Sequence, residues 1–383
     1  MIYVDNSATS YPKPKSVLET VINVISNIGG SPGRSAYRTA IELGRIVFET
    51  REKIASLFNI KNSNRLIFTS GTTESINTVL FGLLNSGDKV LTTSMEHNSV
   101  MRPLRFMEKN CGIKLDIVRC SPEGEIDLDL FSNKLKNNVK LVVINHGSNV
   151  IGTIAPLDEI CKSVKKYNSL ILVDAAQTAG IYPIDVEKIK LDFLACSGHK
   201  GLLGPQGTGC LYIRDNISIR PLKFGGTGSN SESDEQPEFL PDRFESGTLN
   251  APGIAGLGAG VSFVLEQGVE KIFEHGTLLV KRFLDEILSN KKIKVYGPKK
   301  PDKMLPIISF TIDGYDSAAV AHRLSDEFDI CTRVGLHCSP WAHKTIGTFP
   351  SGTIRVSFGY SNTTEDVDNI LKALNVILNK NKL

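Results

Sequence analysis

The sequence predicts an α/β protein with a parallel sheet covered on both faces, and three features predict it. Between about residues 65 and 215, short β-branched runs alternate with amphipathic stretches, which is the pattern of βαβ units. Leu170-Ile171-Leu172-Val173 is apolar without interruption, as a strand buried on both faces must be. Polar clusters then follow one strand after another, where open α/β sheets bind their ligands.

Residues 65–69 form the first predicted strand, followed by Gly71-Thr72-Thr73-Glu74 and a helix with Ile76, Val79, Leu80 and Leu83 on one face. Further strands are predicted over 89–93, 140–145, 170–173 and 192–196, with helical patterns between most of them. The polar groups at the strand ends are Gly71-Thr72-Thr73, His97, Asn145-His146 through Asn149, Asp174, and Ser197 to Lys200. The polar, acidic, Gly- and Ser-rich stretch 225–241 predicts a mobile loop. After residue 250 the character changes. Residues 252–268 are Gly- and Ala-rich but apolar enough for a packed helix, 277–288 is amphipathic, and 306–312 and 353–358 read as strands, which together predict a smaller α+β domain. The Lys-rich stretch 291–303 contains Gly297, Pro298 and Pro301 and predicts a solvated loop.

A chain of 383 residues has room for two domains and a large core without disulfide or metal staples. Its 41% hydrophobic and 22% charged content is that of an ordinary globular protein. The net charge is +3 and the Lys and Arg are scattered, so neither nucleic acid nor a membrane surface is expected as a partner. No run approaches the roughly 18 apolar residues of a membrane helix, and the first residues lack the pattern of a secretory signal. Seven widely spread cysteines, without C-x-x-C or zinc spacing, predict free thiols in a reducing cytoplasm and no metal site.

The chemistry centres on Ser197-Gly198-His199-Lys200. A lysine just after a buried strand, followed by a Gly-rich turn, is placed where its amine meets a ligand; partial desolvation makes it a nucleophile able to form an imine. Alone it reads more readily as a solvated surface lysine. Asp174, at the end of its strand, can hold a pyridine nitrogen protonated. Gly71-Thr72-Thr73 at a helix start offers backbone N–H groups, two hydroxyls and the positive end of the helix dipole to a phosphate. His97 can stack on a ring. Each has a plain structural reading as a cap or a hydrogen-bonded side chain, but the ordered set predicts pyridoxal phosphate bound through Lys200, acting on an amino acid.

The chain resembles the class V aminotransferase fold, and within it the group II cysteine desulfurases and selenocysteine lyases. The resemblance runs from Val4-Asp5-Asn6-Ser7-Ala8-Thr9 to Gly359-Tyr360-Ser361-Asn362-Thr363. It is carried by Thr69-Ser70-Gly71-Thr72-Thr73-Glu74, Met95-Glu96-His97-Asn98, Ser148-Asn149-Val150, Val173-Asp174-Ala175-Ala176-Gln177 and Ser197-Gly198-His199-Lys200, together with Phe244-Glu245-Ser246-Gly247-Thr248 and Arg333-Val334-Gly335-Leu336-His337-Cys338. It implies the fold-type I transferase architecture: a large domain, 14–253, with a mostly parallel seven-stranded sheet, and a small α+β domain, 1–13 and 254–383, carrying the loop of Cys338.

The resemblance also implies roles. Lys200 matches the lysine that binds the cofactor, Asp174 the pyridinium partner, Gln177 the contact to the phenolic oxygen and His97 the stacking histidine. Thr72, Thr73, Ser197 and His199 match phosphate ligands, and Thr248 the residue that reaches the phosphate from the neighbouring subunit of a homodimer. Arg355 matches the residue that pairs with the substrate carboxylate, a place suited to a bidentate guanidinium, with Asn149 assisting and Arg333 also at the substrate. Cys338 matches the nucleophile that attacks substrate sulfur, with His337 and Arg333 expected to favour its thiolate. The implied reaction takes sulfur from L-cysteine, leaves alanine and a persulfide on Cys338, and passes the sulfur to an acceptor protein or small thiol.

The chain departs from the family pattern at three places. It enters at its Val4-Asp5-Asn6 motif without the leader helix of many relatives, Ser339 stands where alanine is usual, and Tyr37 stands near a common histidine position. Selenocysteine is the nearest rival substrate; an aminotransferase and a non-catalytic sulfur-assembly partner are more distant ones.

Overall fold

The computed structural model describes residues 1–33 and 35–379. Seven strands form the main sheet, in the spatial order Leu66–Thr69, Gly209–Ile213, Phe193–Ser197, Leu170–Asp174, Leu141–Asn145, Lys89–Thr93 and Lys114–Val118. Gly209–Ile213 runs antiparallel to both neighbours, and the remaining pairings are parallel. The mostly parallel seven-stranded sheet expected from the sequence is therefore present.

The side-chain period of two explains why its strands are continuously apolar. Val142, Ile144, Ile171, Val173, Leu194 and Cys196 point into one core. Their neighbours Leu141, Val143, Leu172, Phe193 and Ala195 point into the other, under helices Thr72–Leu83 and Asn98–Cys111. Helices Arg38–Leu57, Leu128–Leu135 and Leu157–Lys166 cover the first face.

The smaller unit has a four-stranded antiparallel sheet in the order Arg333–Gly335, Thr353–Ser357, Ile307–Ile312 and Ile293–Tyr296. Helices Val269–Ile287, Ser317–Phe328 and Thr364–Asn379 pack on it around Phe283, Phe310 and Ile370. The N-terminus joins this unit: Ile2–Tyr3 pairs in parallel with Ile330–Cys331, and Val4 is fully buried in its core.

One expectation is corrected. Residues 291–303 are not a plain loop, because Ile293–Tyr296 forms an edge strand whose Val295 is buried; the apolar alternation of Ile293, Val295 and the flanking lysines suits an edge half in solvent. The domain boundary expected at 253 falls inside helix Ala251–Gln267, which packs on the larger core through Ile254, Leu257 and Val261. That helix needs its glycines for close approach: a Cβ on Gly258 would lie 2.3 Å from Thr50 Oγ1, and one on Gly256 2.6 Å from Val21 Cγ2. The expected loop at 225–241 lies in a stretch without helix or strand from 214 to 250. No described helix is long and apolar enough to cross a membrane.

Candidate active site

The parallel strands deliver their polar residues to one end of the main sheet, and the smaller unit closes over that end. A cavity of about 250 Å³ lies between them. Of the residues singled out in the sequence, Thr72, Thr73, His97, Asn149, Asp174, Gln177, Ser197, His199, Lys200, Arg333, Cys338 and Arg355 all line it. Thr248 does not; it is exposed on the surface of the chain.

Lys200 follows strand Phe193–Ser197 and lines this cavity. Burial pulls its amine down to about 8, against the opposing pull of Asp174 and with the help of Arg355 and Arg333. Asp174 ends its strand 3% exposed and accepts a hydrogen bond from Ala176 N–H at 2.9 Å. Burial raises its carboxyl, with the Ala176 bond and the Lys200 charge opposing. A cationic ring nitrogen would give this buried carboxylate a direct counter-charge.

One end of the cavity suits an anion. Helix Thr72–Leu83 begins there, and Thr72 Oγ1 lies 2.7 Å from Ser197 Oγ. The two loops meet so closely that a Cβ on Gly209 would be 2.5 Å from Gly71 Cα. His199 Nδ1 is buried with no hydrogen-bond partner among the described residues. Free helix N–H groups, clustered hydroxyls and an orphaned imidazole nitrogen are what a phosphate would satisfy. The cavity thus fits a phosphorylated pyridine aldehyde: amine, carboxylate and phosphate cradle at the ends of neighbouring strands.

His97 caps helix Asn98–Cys111, and its Nδ1 accepts from Ser99 N–H at 3.0 Å. That bond leaves the ring proton on Nε2. Burial, then the charges of Lys200 and Arg333, push the imidazole down to about 4, so the ring over the cavity is neutral. Gln177 also faces the cavity, with Nε2 donating to Ser7 O at 3.0 Å.

The opposite wall holds the cations. Arg355 is 1% exposed; Nη2 donates to Asp5 Oδ1 at 2.6 Å, Nη1 to Asn149 O at 2.8 Å, and Nε has no partner. Arg333 Nη2 lies 3.9 Å from Cys338 Sγ. Cys338 is exposed, in a turn where His337 and Cys338 have φ of 47° and 58°. The expectation that His337 would help a thiolate is corrected. It is 4% exposed, bonded through Nε2 to Thr353 Oγ1 at 3.1 Å, and burial pushes its imidazole down to about 2, so it carries no positive charge. Arg333 is the cation at the sulfur.

Asp5 and Ser99 were not singled out as functional in the sequence. Asn145, in one of the strand-end clusters expected from the sequence, lies beside Asp174 across the sheet and lines the cavity. Asp5 meets Arg355 only through the fold.

The aminotransferase class-V family model matches residues 2–370. A probable cysteine desulfurase of Pyrococcus abyssi is 36% identical, over 98% of this chain and 93% of that protein. One from Methanothermobacter thermautotrophicus is 34% identical, over 96% of this chain and 92% of the relative. Among solved structures, the apo cysteine desulfurase of Thermococcus onnurineus NA1 superposes with a TM-score of 0.93 at 33% identity, covering 98% of this chain and 94% of the other. The cysteine desulfurase CsdA of Escherichia coli does so with a TM-score of 0.89 at 26% identity, covering 98% and 94%.

Proposed function

The chain belongs to the class-V aminotransferase family, and we propose that it works there as a pyridoxal-phosphate-dependent cysteine desulfurase. The observation that carries this reading is Cys338 beside Arg333 on the same cavity as the Lys200–Asp174 pair. A transaminase needs the lysine and carboxylate but has no use for an exposed thiol facing them.

Pyridoxal phosphate, when bound, supplies a carbonyl for the substrate's amino group and a conjugated ring that takes up electrons released at Cα. Thr72, Thr73, Ser197 and His199 would hold the phosphate, with Thr248 added from a second copy of the chain. Asp174 would keep the ring nitrogen protonated, Gln177 would serve the phenolic oxygen, and the neutral His97 ring would stack on the cofactor. Arg355 receives the L-cysteine carboxylate, held in place by Asp5 and by Asn149 O; Arg333 lies between that carboxylate and Cys338. Lys200, as the free amine, takes the proton from Cα. The Cys338 thiolate then attacks the substrate sulfur: an S–S bond forms, the Cβ–S bond breaks, the electron pair left on Cβ takes up a proton in place of the one Cys338 gave up, and Lys200 returns its proton to Cα to complete alanine. The persulfide on Cys338 faces solvent, where an acceptor protein or small thiol collects it.

The test is release of alanine and sulfide from L-cysteine by the reconstituted chain, with L-selenocysteine in parallel. Cys338→Ser is expected to abolish alanine formation from cysteine while the absorbance of bound pyridoxal phosphate persists. Undiminished turnover of cysteine by that variant overturns the assignment; turnover of selenocysteine alone reassigns the chain to selenium.

A further inference from the structure

Cys338 sits in a turn that its own backbone disfavours. Two consecutive non-glycine residues, His337 at φ 47° and Cys338 at φ 58°, occupy the left-handed region, which such residues hold only when their surroundings impose it. One side chain grips both ends of this turn. Asn149 Nδ2 donates to His337 O at 2.7 Å, and Asn149 Oδ1 accepts from the Ser339 hydroxyl at 2.8 Å. Asn149 is 5% exposed and Ser339 0%, so water does not compete for these bonds. From the large unit, Asn98 N–H adds a bond to Cys338 O at 2.9 Å.

The His337 carbonyl decides which way the amide faces: a buried Asn can be turned over to exchange its oxygen and nitrogen, and only its nitrogen can serve that acceptor. The Ser339 hydroxyl then supplies the donor that the buried Oδ1 requires. Alanine, usual at this position in the resembling family, has nothing to donate. The backbone carbonyl of Asn149 meanwhile receives Arg355 Nη1, so one residue ties the nucleophile's turn to the carboxylate-binding guanidinium.

We propose that Ser339 and Asn149 are paired positioning residues for Cys338, clamping the residues on either side of it so that its sulfur faces the cavity beside Arg333. This rests on the reading of Cys338 as the nucleophile. Only one of the two Asn149 N–H donors is used by the His337 carbonyl, so the clamp does not exclude a contact to substrate.

The test compares Ser339→Ala, Asn149→Ala, the double variant and Ser339→Thr, which keeps the hydroxyl, in the reconstituted full chain. Loss of one buried hydrogen bond at the reacting group corresponds to about a tenfold fall in rate. Ser339→Ala is therefore expected to lower kcat for cysteine about tenfold with KM unchanged, Ser339→Thr to retain most of it, and the double variant to be no worse than Asn149→Ala. Amide hydrogen exchange across 336–339 is expected to quicken in both alanine variants. A rise in KM with kcat unchanged in Ser339→Ala overturns the proposal. So do losses that multiply in the double variant, or exchange that does not change. If the unaltered chain releases no alanine from cysteine, the desulfurase reading fails on its own, and the exchange comparison alone decides whether the clamp exists.

Discussion

Asp5 and Arg355 are 350 residues apart in the chain and 2.6 Å apart in the fold. The bridge joins the N-terminal strand segment to strand Thr353–Ser357 at the wall of the cavity. Burial weakens the guanidinium's hold on its proton, and Asp5 restores it. Arg355 is thereby kept charged and aimed before any substrate carboxylate arrives.

Removal of Asp5 leaves that buried cation without its counter-ion. Breaking one side of a buried pair costs about 3 kcal/mol. Asp5→Ala is expected to lower the free energy of unfolding by about that amount and to raise KM for cysteine, because an unanchored guanidinium spends part of its time turned away. Urea denaturation and steady-state kinetics check the two parts; an unchanged denaturation midpoint means the pair contributes nothing net.

Glu96 lies beneath the cavity, 0% exposed, with Oε1 accepting from Thr93 Oγ1 at 2.7 Å and from Asn145 N–H at 3.1 Å, and Oε2 without a partner. Burial raises its carboxyl to about 8. The folded chain then holds a proton that the unfolded chain releases near 4.5, so this group's stabilisation is complete below that pH and is lost as pH rises through about 8. Glu96→Gln, neutral at every pH, is expected to flatten that part of the stability profile. Denaturation midpoints at pH 5 and pH 8 measure it, and an unaltered slope in the variant shows that Glu96 is already ionised.

The parts of this architecture legible in the sequence are those encoded locally. Leu170-Ile171-Leu172-Val173 is apolar because both faces are covered, and Lys200 and Asp174 sit at strand ends because the sheet puts ligands there. Gly209–Ile213 was not foreseen; its Gly-rich approach hides a short strand that enters the sheet antiparallel. The Asp5–Arg355 bridge and the Ser339–Asn149 bond have no sequence spacing to betray them, since the fold alone brings the partners together. His337 misled for a related reason: a histidine beside a cysteine reads as a potential cation until its burial is known.

Thr248 is exposed and away from the chain's own cavity, which is where a residue serving a second copy must be. The segment before it is fixed by the buried Arg51–Glu245 pair, with bonds of 2.8 and 2.9 Å. Thr248→Val is expected to leave the fold and the proposed dimer intact and to weaken pyridoxal phosphate retention about tenfold, the worth of one hydrogen bond to a charged group. Gel filtration and dialysis followed at the cofactor's absorbance check this. A monomeric chain that retains the cofactor fully removes Thr248 from the site.

Lys200 sets the alkaline side of cofactor loading. Its amine is nucleophilic only when neutral, and burial brings that change down from 10.5 to about 8. The rate at which added pyridoxal phosphate attaches is therefore expected to rise with pH and level off above about 8. Asp174 pulls the other way, holding the proton on, so Asp174→Asn is expected to move the midpoint to lower pH even though the cofactor's ring nitrogen loses its partner. Arg355 and Arg333 repel the protonated amine, and Arg333→Ala is expected to move the midpoint upward. Stopped-flow absorbance across pH 6 to 10 measures all three proteins. A midpoint near 10.5 in the unaltered chain means that Lys200 is solvated and that burial does not activate it.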